Sequence, residues 1–370
     1  MKTAKVIGTG LIGTSIALAL TRRGVKVYLD DEDTTAARTA EAMGAGTLEV
    51  PQGPVDLAVL SVPPTEVASL LVRVQRAGLA RAYTDIASVK SRPRDEIRSA
   101  GGDPVSYVGG HPLASEGRSS PLAARPDLFE GRWWVLTPSD PYDQTVLNQV
   151  LELVALCDGV PVIMDPVRHD RAVALTTHAP HLVSTLMAAR LVGAPDDSVR
   201  ISGHGLRHVT RVAAGDPEFW RDVLGANADA VADVLDAYAA DLNEAVGALR
   251  GLGSADQEVR ARAAADLDEL LKRGNRGHAR VGHRPGEPPR GLVPVPVVVP
   301  DQPGALTRLF GSISRAGIDI EDVRIDHTPE QPRGLIEILV DRQAAPDLSR
   351  LLSLDGWSMP DAGLLAAPLR

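Results

Sequence analysis

Over the first 155 residues short apolar runs alternate with stretches of helical spacing. AKVIGTG, VKVYLD, VDLAVLSV, AYTDIAS, VSYVGGHP and RWWVLTP read as strands. TSIALALTRRG and TTAARTAEAMGAG lie between them as helices, each closing at a glycine. Strand and helix in alternation predict an α/β fold, a parallel sheet with helices on both faces. After Pro161 the pattern turns helical. HDRAVALTTHAPHLVSTLMAARLVG predicts one helix kinked at Pro180. DPEFW through VGAL predicts one long helix with Asp216 as N-cap and Pro217 at its first position. Its apolar stripe (Trp220, Leu224, Val231, Leu235, Tyr238, Leu242, Val246) suits a bundle or a subunit interface. A further helix opens with Ser254 and Gln257 spaced as a capping box. Gly, Pro and Arg without periodicity mark a linker at 276–292, and strand, helix, strand, strand then close the chain as a small α+β domain. The expected divisions are 1–158, 159–275, the linker 276–292, and 293–370.

Composition narrows the class. At 370 residues the chain is too long for one ordinary core. Its 44% hydrophobic and 24% charged residues are globular proportions, and a net charge of −9 argues against a nucleic-acid partner. One cysteine, Cys157 in an apolar setting, excludes a disulfide framework and fits a reducing cytoplasm. No uncharged apolar run reaches ~18 residues and no signal peptide is visible, so a soluble cytoplasmic protein without a membrane partner is expected.

Gly8, Gly10 and Gly13 form G-x-G-x-x-G between the first strand and the first helix, with Leu11 and Ile12 opening that helix. Such a turn lets backbone approach a pyrophosphate resting on the helix N-terminus. Asp30 ends the next strand, where a carboxylate accepts ribose hydroxyls and repels a 2′-phosphate, so NAD is expected over NADP; Asp31 is placed to share that role. The competing reading is a glycine turn that only packs helix on strand. Later strand ends line the ligand crevice of such a sheet: Ser61, Val62 and Pro63, then Ser88 and Lys90, then His111 on a loop just past its strand. His111 and Ser88 are expected at the nicotinamide end. A loop histidine that caps a carbonyl is equally compatible with the pattern.

The chain resembles the prephenate/arogenate dehydrogenase family of tyrosine biosynthesis over nearly its whole length. GTGLIGTS matches the family's glycine fingerprint, Asp85, Ser88 and Lys90 its D-x-x-S-x-K strand end, and GGHPLAS and DLFEGRWW its next two segments. His169, Asp170, His178, Pro180 and His181 match an HD…SHxPH pattern; GLRHVTR ending at Arg211, then Trp220, match GFRDxTR…W. The resemblance implies a Rossmann-type NAD-binding domain, a helical substrate and dimerisation domain, and oxidative decarboxylation of prephenate, or of arogenate on the same scaffold. It implies that His111 accepts the ring hydroxyl proton and that Ser88 orients both the histidine and the nicotinamide. Arg211 is implied as the substrate-carboxylate ligand, with His181, His178 and Trp220 lining the pocket. His208 and Leu206 replace the family's acid and aromatic, and Leu113 and Ser115 depart from HPMAG. A gating ion pair built on that acid is therefore not expected here.

The C-terminal segment resembles an ACT domain, a ferredoxin-like sensor of amino acids. Asp301, Pro303, Gly304 and Leu306 occupy its strand-to-helix turn, with Asp319 further on, and tyrosine is the expected effector; a domain that only dimerises is the alternative. His169, His178 and His181 raise a metal site, but no cysteine or carboxylate cluster accompanies them and none is expected. A non-catalytic amino-acid sensor has no need of Ser88, His111 and Arg211 together. A β-hydroxyacid dehydrogenase is expected to use a helix lysine, and the helical half has none comparably placed before Lys272. A homodimer is expected.

Overall fold

The computed structural model describes residues 1–114, 120–140, 142–281, 292–300, 302, 305–315, 318, 320, 322–326 and 333–359. Two compact units divide the chain, Met1–Arg250 and Gly251–Arg370.

The first unit is built on a seven-stranded sheet of β1 (Thr3–Ile7), β2 (Lys26–Asp30), β3 (Val55–Leu60), β4 (Ala80–Asp85), β5 (Tyr107–Pro112), β6 (Trp133–Pro138) and β7 (Val160–Ile163). The order is β2-β1-β3-β4-β5-β6-β7. Helices α1 (Leu11–Arg22), α2 (Thr34–Ala42), α3 (Pro64–Arg76), α4 (Ser91–Ser99) and α5 (Gln144–Leu156) connect the strands. Each strand is apolar almost throughout, as a sheet covered on both faces requires. Two buried clusters pack on it, one around Ile16, Leu20, Leu57 and Leu153, the other around Leu60, Leu71 and Ile97.

The sheet is not wholly parallel: β6 runs antiparallel to β5, and β7 then pairs parallel with β6. Among the described residues the connection from β5 to β6 holds only a 3-10 turn, Pro121–Ala123. Without a crossover helix the chain returns beside β5 in the opposite sense. β7 also carries the sheet past residue 158, so Val160–Ile163 belong to it rather than to the helical half. His111 lies inside β5, opposite Val135 of β6, and not on a loop beyond the strand.

The helical layer holds α6 (Pro166–Val173), α7 (Ala179–Ala189), α8 (Asp196–Arg200), α9 (His204–Thr210), α10 (Pro217–Ala226) and α11 (Ala228–Leu252). In place of a kink at Pro180, the helix takes one π-helical turn, Ala174–His178, closed by Ala179 N–H to the Ala174 carbonyl. Asp216 caps α10 through Glu218 N–H with Pro217 behind it, as the sequence predicts. The single long helix, however, breaks at Asn227 (φ −129°, ψ 30°) into α10 and α11.

In the second unit α12 (Gln257–His278) is capped by Asp256, not Ser254, and extends into the stretch read as linker. Beyond it β8 (Leu292–Pro300), α13 (Ala305–Arg315), β9 (Asp322–Asp326), β10 (Arg333–Asp341) and α14 (Ala345–Leu354) form an antiparallel sheet ordered β8-β10-β9 with helices. Val295, Val297 and Val299 are buried against Leu309, Ile338 and Leu348. The prolines of β8 alternate with them, so their missing N–H groups face away from β10.

Gly8 (φ +98°) and Gly13 bring the β1–α1 turn against the end of β3. A Cβ on Gly13 would lie 1.9 Å from the Gly8 carbonyl oxygen and 2.8 Å from Ser61 Oγ. In a helix alanine ordinarily gains up to ~1 kcal/mol over glycine, but this overlap is with backbone. Gly13→Ala should therefore lose about 1–3 kcal/mol of unfolding free energy in urea titration. Gly53→Ala, with open space around it, should stay within about 0.5 kcal/mol of the parent.

Candidate active site

The strand order reverses between β1 and β3, and the glycine turn sits at that switch point. α1 starts at Gly10 with no side chain capping its first turn, which leaves the amides of an N-terminus facing the crevice. Leu11 is buried and Ile12 half-buried beneath the turn, while Ser61, Val62 and Pro63 leave β3 beside it. Asp31 braces the turn: one carboxylate oxygen accepts from Thr9 N–H and from Thr9 Oγ1 (2.7 Å), the other from Asp33 N–H. Both of its oxygens are engaged. Asp30 is the open acid at the end of β2, its side chain 56% exposed and 3.1 Å from Lys5 Nζ. The cradle thus fits a dinucleotide, with Asp30, exposed beside Lys5, better placed than Asp31 to meet a ribose.

The loop after β4 is pinned from inside. Lys90 is buried, and its ammonium donates to Asp85 Oδ1 and to the Gly110 carbonyl (2.6 Å). Tyr107 hydroxyl donates to the other Asp85 oxygen. This ties the segment carrying Ser88 to the strand carrying His111. Ser88 Oγ is buried without a hydrogen-bond partner among the described residues, a polar group whose satisfaction a bound cofactor or substrate could supply.

His111 is held by another side chain. Its Nδ1 lies 2.9 Å from His169 Nε2, and His169 Nδ1 lies 2.8 Å from Asp170 Oδ1. The contact that orients His111 therefore comes from His169, on α6, and not from Ser88. Burial first, then the neighbouring His169, Lys90 and His178, push the His111 imidazole well below its ordinary 6.5. Its ring is therefore neutral at physiological pH. Burial alone would raise the Asp170 carboxyl, but hydrogen bonds from His169 and from the N–H groups of Ser91 and Lys90 outweigh it, and the net direction is down.

The π turn and α7 form the opposite wall. His178 is fully buried, and Asn227 Nδ2 donates both to its Nδ1 (3.1 Å) and to the Asp170 carbonyl (2.8 Å). A carbonyl can only accept, so the amide orientation is fixed and His178 carries its proton on Nε2, which has no partner among the described residues. His181 stacks on Trp220 with centroids 3.6 Å apart and planes at 10°. Arg211 begins a 3-10 turn, Arg211–Ala214, and is exposed, its guanidinium without a partner among the described residues. His208, on α9, is exposed too. Asn227 is a site residue that the periodicity hid by reading a helix through it; the signal available was an Asn-Ala-Asp run, which disfavours a helix interior. Asp301, Pro303, Gly304 and Asp319 lie outside the described residues, as does Ser115; Leu306 is exposed on α13. Among the described residues no group of three or more His, Cys, Asp or Glu is arranged to hold a metal. Cys157 is buried at the end of α5, its thiol pushed up to about 12 mainly by that burial.

Two domain families match in tandem: "Prephenate dehydrogenase, nucleotide-binding domain" over residues 16–163 and "Prephenate dehydrogenase, dimerization domain" over 165–272. The chain is 42% identical to "Probable prephenate dehydrogenase NovF" of Streptomyces niveus, covering 96% of this chain and 99% of that protein. It is 27% identical to the prephenate dehydrogenase of Bacillus subtilis, covering 91% of each. Among solved structures, prephenate dehydrogenase from A. aeolicus in complex with hydroxyphenyl propionate and NAD+ is similar with a TM-score of 0.64 at 25% identity. That likeness covers 74% of this chain and 98% of the other.

His178 gives a direct check on these proton positions. Burial, against partial support from Asp170, lowers it to about 4. Nitrogen-15 NMR of histidine-labelled protein should show a neutral ring with its proton on Nε2 at every pH from 8 down to near 4. Protonation nearer 6.5, or a proton on Nδ1, would break the Asn227 assignment.

Proposed function

The chain belongs to the prephenate dehydrogenase family, and we propose that it catalyses the NAD-dependent oxidative decarboxylation of prephenate to 4-hydroxyphenylpyruvate with His111 as base. The observation that carries this is His111: a buried, neutral imidazole at a strand end beside the cofactor crevice, its Nδ1 committed to His169 and its Nε2 left for substrate. The glycine turn (Gly8, Gly10, Leu11, Ile12, Gly13) would hold the pyrophosphate, Asp30 the ribose hydroxyls, and Ser61, Val62, Pro63 and Ser88 the nicotinamide side. Bound NAD supplies the hydride acceptor. The substrate's ring hydroxyl gives its proton to His111 Nε2 as the carbinol carbon loses hydride. The ring carboxylate then leaves as CO2, its bonding electrons complete the aromatic ring as a phenolate that takes back the proton from His111, and the step is irreversible.

Arg211 offers the planar, bidentate donor that a substrate carboxylate needs, and the stacked His181 and Trp220 with the His178 Nε2–H line the rest of the pocket. Exposed apolar residues on α11 (Tyr238, Leu242 and Leu249) support a homodimer formed through the helical layer. The C-terminal sheet with α13 and α14 supports an ACT domain that senses tyrosine. No helix among the described residues is long and apolar enough to cross a membrane.

Initial rates with prephenate and with arogenate, each with NAD and NADP, test the proposal; prephenate with NAD should be fastest. His111→Asn should lower kcat by ~10²–10⁴-fold with NAD affinity intact. Because only the neutral ring accepts a proton, kcat/KM of the parent should fall as pH drops through a pKa below 6.5, and the variant should lack that limb. An acidic limb retained in the variant would remove His111 from the chemistry.

Ending the chain near residue 290 should leave activity and abolish inhibition by tyrosine. Inhibition unchanged by the truncation would place tyrosine in the catalytic pocket.

A further inference from the structure

Three side chains in series run from His111 to a fixed negative charge on Asp170, and their proton positions can be worked out one by one. Asp170 takes N–H bonds from Lys90 on Oδ1 (2.8 Å) and from Ser91 on Oδ2 (2.8 Å). Those donors keep it ionised, and an ionised carboxylate only accepts. Its contact with His169 Nδ1 (2.8 Å) is therefore an N–H donated by His169. With its one proton on Nδ1, His169 keeps a bare lone pair on Nε2. That lone pair lies 2.9 Å from His111 Nδ1, so His111 is the donor there and its own proton sits on Nδ1.

We propose that His169 and Asp170 are positioning residues that fix the tautomer of His111, so that Nε2 meets the substrate hydroxyl as a lone pair. The inference rests on the reading of His111 as the base. An unconstrained imidazole favours neither ring nitrogen strongly enough to guarantee this, and a histidine with its proton on Nε2 is not a base toward the hydroxyl. The ring edge geometry, with centroids 5.1 Å apart and planes at 78°, also stops the His111 ring from flipping without losing its partner. The other charged or titratable groups facing His111 are Lys90, from the loop before α4, and His178, from the π turn. Lys90 is occupied by Asp85 and the Gly110 carbonyl, and His178 Nδ1 by Asn227. Neither competes for His111 Nδ1. Pair and base stand on different elements, α6 and β5, so the interaction also sets where the helical wall sits against the strand.

The test uses the full chain with three variants. His169→Leu keeps volume in a fully buried position and removes the acceptor. His169→Gln returns a carbonyl acceptor near the same point, and His111→Asn tests the premise. The free parent enzyme should show His111 protonated on Nδ1 by nitrogen-15 NMR. His169→Leu should lower kcat by roughly 10- to 1,000-fold with KM for prephenate and Kd for NAD changed less than about threefold, and should lose the single-tautomer signature of His111. His169→Gln should recover part of the kcat. A parent His111 protonated on Nε2, or a His169→Leu enzyme with normal kcat, overturns the inference. If His169→Leu fails to fold, the parent tautomer and the kcat of His169→Gln decide: Nδ1–H with kcat above a tenth of the parent's supports it. A His111→Asn enzyme that keeps its kcat overturns the premise and the inference with it. Collapse in His111→Asn beside an active His169→Leu overturns the inference alone.

Discussion

One carboxylate joins the sheet to the helical wall. Asp170 projects from α6, yet it takes the N–H groups of Lys90 and Ser91 at the start of α4 and the ring N–H of His169. Its own backbone carbonyl takes the amide of Asn227 from the break between α10 and α11. It is nearly fully buried, and an isolated carboxylate there would be several kcal/mol uphill. Three N–H donors make the position tenable, and each comes from a place the active site needs fixed. The sheet's ligand loop, the partner of His111 and the second imidazole all refer to the same residue.

A second buried pair does the same on the sheet side. Removing either Lys90 or Asp85 would strand the other charge, at a cost of about 3–5 kcal/mol for such pairs. The salt bridge is better understood as a locator than as a source of stability, since desolvation consumes most of the Coulomb gain. Because Lys90 donates to the Gly110 carbonyl as well, it fixes the distance between the Ser88 loop and the residue before His111. It also sets the electrostatics. A cation near His111 disfavours a second positive charge there, which favours the neutral imidazole.

The parts of this arrangement legible in the sequence were those governed by local pattern. The glycine turn, the alternation of strands and helices, Asp216 with Pro217 at a helix start, and the buried thiol of Cys157 each follow from neighbours a few residues away. What stayed hidden depends on partners far apart in the chain. Nothing in VSYVGGHP says that β6 returns antiparallel beside it, which makes His111 a strand residue. The π turn before Pro180, closed by the Ala179 N–H to the Ala174 carbonyl, takes the place of a kink that the proline alone would suggest. Asn227 breaks a helix whose apolar stripe continues on both sides, since its amide is claimed by Asp170 and His178. His169 and Asp170 were visible as a motif, but their work is done on residue 111, and only the fold puts them there.

The two glycines ahead of His111 show how far the strand is shaped around this network. A Cβ on Gly110 would come within 2.6 Å of the Asp85 carbonyl and 3.1 Å of Trp134 Nε1. One on Gly109 would meet Thr137 Oγ1 at 2.6 Å and the Lys90 stem at 3.1 Å. Here glycine is needed for close approach and not for an unusual backbone angle. Any larger side chain would push β5 away from the buried lysine and from β6, and His111 would move with it. A base on a loop would tolerate such a shift by relaxing; one inside a paired strand cannot. The site therefore takes its positional accuracy from the sheet and its proton state from the helix, and the residues that secure each are buried where neither can vary alone.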